Sequence, residues 1–68
     1  MNTRIRTAMD QYGIRDVSPT TIEAFMRVEH TTLDGISKSE FEAEVIIYAR
    51  TARKDPNLAA SLARQFGF

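Results

Sequence analysis

Apolar side chains recur along this chain at intervals of three and four residues, the spacing that lines up one face of an α-helix. Ile5, Ala8, Met9 and Tyr12 make the first stripe and predict a helix over about Thr3 to Tyr12. Asn2 stands where it can cap the start. Gly13 suits the left-handed position just past the end, and Ile14 then lies where it can contact Met9 in a Schellman ending. A second helix is expected from Ser18-Pro19, a good N-cap followed by the residue favoured at the first helical position. Val17 and Ile22 can close a hydrophobic staple across that cap. Ile22, Phe25, Met26 and Leu33 share its face, and its end falls between Glu29 and Leu33 because His-Thr-Thr is weak helix material. Asp34-Gly35 reads as the turn that follows.

The third helix is expected over about Lys38 to Lys54. Ser37 is its cap, and Glu40 lies where a capping box needs it. Ile36 and Phe41 form the staple, and Phe41, Val45, Tyr48, Ala49 and Ala52 form the main stripe. The fourth runs from Pro56 to Phe66, capped by Asp55, with a stripe of Leu58, Ala59, Leu62, Ala63 and Phe66. Gly67 ends it and Phe68 can fold back on Ala63 or Leu62. Glu44 to Ala49 also has strand-like composition, but no other segment offers a strand to pair with. The expected fold is all-α, a compact bundle of four short helices with the third central.

The chain has 68 residues, so residues 1–68 are read as one helical domain. A domain this small buries only about 60% of its unfolded surface and is usually marginal in stability. There is no cysteine, which removes disulfides and thiolate metal sites as supports. The single histidine, His30, leaves little for a metal centre. Association with another chain is the stabilising device still open. No apolar run at the N-terminus reads as a secretory signal. The longest apolar run, Val45 to Ala49, is far short of the roughly 20 residues of a membrane span. The expectation is a cytoplasmic protein with no membrane contact.

Nine basic and nine acidic residues give a formal net charge of zero. Nucleic-acid binders usually carry a basic excess, because phosphate contacts supply much of their affinity. That matters for residues 35–45, Gly-Ile-Ser-Lys-Ser-Glu-Phe-Glu-Ala-Glu-Val, which have the outline of the turn and second helix of a helix-turn-helix. A recognition helix reads base edges with its N-terminal residues. Here those turns carry Glu40, Glu42 and Glu44, which phosphates would repel. His30 and Asp34 also stand where such a motif wants apolar core. Every feature of the stretch is explained by starting a helix, and nucleic acid is not the expected partner.

Chemistry-bearing groups are few. His30 has Glu29 beside it and Asp34 four residues on, a set that can in principle exchange protons. A pocket around it would have to be shared between subunits. Glu40 and Glu44 lie one helical turn apart, but no EF-hand pattern accompanies them. No catalytic residue, cofactor or metal site is assigned, and the chain is read as a non-enzyme. Arginine outnumbers lysine seven to two, and arginine is favoured at protein interfaces.

Two features are left over. With Phe41 at zero and about 100° per residue, Ile46 falls near 140° and Ile47 near 240°, outside the main stripe. The middle of the third helix is therefore apolar nearly all round, as in a helix buried on several sides. Either the other three helices wrap it or a second molecule does. The other feature is Glu29, at the centre of the second stripe if that helix continues. It then needs an arginine, with Arg27 and Arg50 as candidates, or the helix ends early. The expected function is a non-catalytic interaction or regulatory module that self-associates through the third helix, as a homodimer. Glu42, Ile46, Ile47, Arg50 and Arg53 are the expected contact residues. The alternative is a dimeric helix-turn-helix-like nucleic-acid-binding regulator.

Overall fold

Four helices account for the architecture in a computed structural model that describes residues 3–68. They are α1 (Thr3–Gln11), α2 (Pro19–Glu29), α3 (Lys38–Lys54) and α4 (Pro56–Gln65), and no strand occurs among the described residues. The expected cap at Asn2 lies outside the described residues. The Val-Ile-Ile-Tyr segment is helical throughout, in the middle of α3.

Local signals set the boundaries. Past α1, Gly13 takes φ 66°. The Gly13 amide donates to Asp10 O at 3.3 Å and the Ile14 amide to Met9 O at 2.9 Å, the paired bonds of a Schellman motif. The same pair closes α4, from Gly67 to Arg64 O and from Phe68 to Ala63 O. Ser37 Oγ accepts from the Glu40 amide at 3.3 Å, and Asp55 Oδ1 accepts from the Leu58 amide at 3.0 Å. Ser18 differs from the expectation. Its hydroxyl pairs with that of Thr20 at 2.8 Å rather than capping an amide, and the Thr21 amide donates to the Ser18 carbonyl at 3.1 Å instead.

The main core gathers Ile5, Ala8, Met9, Ile14, Ile22, Met26, Leu33, Phe41, Val45 and Ala49. A smaller cluster of Phe25, Ala52 and Ala59 sits against α4. Val17 and Tyr48 touch both and tie them together. Tyr48 stacks on Phe25 with ring centroids 5.4 Å apart. Both α2 and α3 contact every other helix, and α1 and α4 do not meet. Centrality is thus shared, and α2 is the more enclosed. Five consecutive residues, Ile22 to Met26, are buried there, which a one-sided stripe does not allow. The radius of gyration is 10.8 Å, about the 11 Å expected for a compact chain of this length.

The packing corrects two expectations and decides a third between its alternatives. Tyr12 leaves the core and is 45% exposed, because α1 stops at Gln11 and its hydroxyl instead donates to Glu42 at 2.9 Å. On α4 only Ala59 is buried, while Leu58 and the C-cap residue Phe66 are 42% and 37% exposed. Glu29 is the last residue of α2 and is exposed, so the early-ending alternative holds. The chain reverses beyond it and Leu33 reaches the core from the loop. The buried carboxylate of α2 is Glu23, which accepts from Arg27 Nε at 3.1 Å.

Candidate functional site

The longest helix presents one face that none of the other described residues covers. Glu40, Ala43, Ile47, Arg50 and Lys54 are all exposed on α3. They recur at intervals of three, four, three and four residues, the spacing of a continuous seam along a helix. Ile47 is 53% exposed at the middle of it. Ala43, one turn before, leaves a shallow place beside it. A carboxylate stands at the N-terminal end of the seam and two cations at the C-terminal end. This is the distribution that the helix dipole favours, so local physics alone accounts for the charges but not for Ile47.

The five residues expected to form a contact surface divide in the structure. Ile47 and Arg50 face outward, and the Arg50 side chain makes no hydrogen bond or ion pair among the described residues. Ile46 is half-buried and packs against the main core. Glu42 accepts from the Tyr12 hydroxyl. Arg53 makes a forked contact with Asp16, at 2.6 and 2.8 Å, which holds the Asp16 carboxyl below the usual carboxylate range. Glu42 and Arg53 thus pin the residues just beyond α1 to α3. Arg4 is engaged as well: its guanidinium lies 4.1 Å from the Phe41 ring centroid and donates to Ile36 O at 3.0 Å.

The second feature is polar. His30 caps the end of α2 with its amide donating to Met26 O, and its ring turns toward α3. His30 Nε2 lies 2.9 and 3.1 Å from the two carboxylate oxygens of Glu44. Glu29 completes the group, with ligand-type atoms of the three residues all within 4.8 Å of one another. The Tyr48 hydroxyl faces this group. Burial raises its pKa, and hydrogen bonding to Glu29 and the nearby Glu44 charge raise it further. An imidazole and two carboxylates form a donor set that divalent cations accept, but here His30 is already paired with Glu44 and Glu29 with the Tyr48 hydroxyl. Asp34, the other carboxylate considered beside His30, is not one of these three.

Sequence reasoning missed both arrangements in part. The seam was legible as the three-four recurrence from Glu40 to Lys54, once the arc around Ile46 is assigned to the core. The pairing of His30 with Glu44 joins residues 14 apart and depends on where the chain reverses after Glu29, which no local pattern encodes. Among the described residues, no helix is long and apolar enough to cross a membrane. Comparisons with protein-family models, with characterised proteins and with solved structures find no match.

Proposed function

We propose that this chain is a small, non-catalytic interaction or regulatory module of the cytoplasm that associates with itself through the outward face of α3. The observation that carries the reading is Ile47. A β-branched side chain more than half exposed, at the centre of the longest helix and ringed by charge, has the layout of an interface anchor with a polar rim. Arg50 flanks it, exposed and with its guanidinium donors unspent among the described residues. Ile46, Glu42 and Arg53 support the surface from behind and from its edge, through the core and through Tyr12 and Asp16. A domain of this size gains stability from a partner, and covering Ile47 is the direct way to supply it.

Light scattering over a range of concentrations tests this. The wild-type chain is expected to move from monomer to dimer as concentration rises. Ile47→Glu is expected to stay monomeric with its helical circular dichroism intact. Ile46→Asp is expected to lose the helical signal as well, since Ile46 packs on the core. A wild-type chain that remains monomeric up to about 1 mM, the range of weak contacts, overturns the proposal.

A further inference from the structure

The exposed seam of α3 is complementary to itself when a second copy is laid on it in the opposite direction. Pairing residues whose numbers sum to 90 puts Ala43 opposite Ile47 of the second copy, and Ile47 opposite its Ala43. The same register puts Glu40 opposite Arg50 of the second copy, and Arg50 opposite its Glu40. A large side chain meets a small one and an acid meets a base, twice each, as a two-fold axis requires. A parallel arrangement sets Glu40 against Glu40 and Arg50 against Arg50, and Ile47 against Ile47 with Ala43 facing Ala43. Like charges directly opposed disfavour it, and two alanines facing each other leave a gap. We propose that the occupant of the α3 face is a second copy of this chain, docked antiparallel with its two-fold axis at the level of Val45. This rests on the self-association reading above and adds its direction and register.

All four side chains are exposed, and neither Glu40 nor Arg50 has a side-chain hydrogen bond or ion pair among the described residues. The pairing therefore breaks nothing already made. The short contact falls at the low end of interface sizes, so a dissociation constant in the micromolar range is expected.

Reversing charges separates this register from a purely structural role. Glu40→Arg alone sets arginine against arginine at both symmetric sites, and Arg50→Glu alone sets carboxylate against carboxylate at both. Each is expected to weaken dimerisation about tenfold, from the loss of attraction plus new repulsion at the two sites. The double variant Glu40→Arg/Arg50→Glu restores both pairs and is expected to return close to the wild-type constant. If these residues only complement the helix dipole, the double variant is the worst of the three, and the register is overturned.

Cross-linking gives an independent reading, since the chain has no cysteine of its own. In the antiparallel register, two copies of residue 40 are about 15 Å apart along the helix axis, beyond the roughly 7 Å span of a disulfide. Glu40→Cys and Arg50→Cys chains are therefore expected to resist oxidation to dimers when alone and to cross-link when mixed. Self-cross-linking of each alone, with no mixed disulfide between the two chains when they are combined, establishes a parallel dimer and overturns the register while sparing the self-association reading. A wild-type monomer at every concentration overturns both.

Discussion

At the residue scale, polar side chains near the core are held by identifiable partners. Arg27 neutralises the buried Glu23 one turn away, and a buried carboxylate without such a partner would be costly. Tyr48 gives this a measurable form. Its hydroxyl is kept protonated by burial and by the Glu29 and Glu44 carboxylates. Tyr12 is also raised, first by its bond to Glu42, but it lies in solvent. A spectrophotometric titration is expected to resolve two tyrosine steps, with the later one absent from Tyr48→Phe. The stability consequence has a definite sign. A folded-state pKa above the unfolded value of about 10 leaves stability intact below that pH. Stability then falls as pH rises toward the folded value. Thermal unfolding above pH about 10 is expected to show this loss, and Tyr48→Phe to reduce it.

At the element scale, the helices begin and end where local chemistry tells them to. The starts of α2, α3 and α4 each follow a Ser or Asp that precedes Pro or a capping pattern, and both Schellman endings use a glycine at positive φ. Gly13 is the cleaner test, because a Cβ built there meets nothing within 4 Å. Any cost of adding one is conformational. Gly13→Ala is expected to destabilise the fold by about 1 kcal/mol in urea unfolding, and Gly13→Asn by less, because asparagine tolerates the left-handed region. Equal losses for the two would point to a packing role for Gly13 that the open space around it does not support.

At the scale of the whole molecule, a 68-residue chain rests on few side chains. Ile22 is fully buried on the helix most enclosed by the others. Ile22→Ala is expected to cost about 3 kcal/mol, from lost burial plus the cavity left behind. The whole fold is worth roughly 3–10 kcal/mol at this length. Val28, on the same helix but 58% exposed, is expected to change stability by less than about 0.5 kcal/mol on substitution to Ala. Urea midpoints for the two variants measure the contrast directly. Dimerisation enters at this scale too: if α3 pairs as argued, the wild-type midpoint rises with protein concentration, and that of Ile47→Glu does not.

By itself the sequence determined the elements. Stripe periodicity, the caps at Ser37 and Asp55 and the stops at Gly13 and Gly67 are all satisfied within a few residues of chain, so they can be read there. The periodicity also identified the main stripe of α3 and the unusual apolar pair beside it. Which member of that pair is core, and which is surface, was decided only by the tertiary structure. Ile46 and Ile47 are both isoleucine on the same helix, and what separates them is which side the other helices occupy. The same holds for the carboxylates of α2. The helical wheel singles out Glu29 for burial, yet Glu23 is the one enclosed and Glu29 faces solvent. The difference arises because α2 packs on three neighbours and stops at Glu29, and those neighbours come from parts of the chain that no local pattern relates to it.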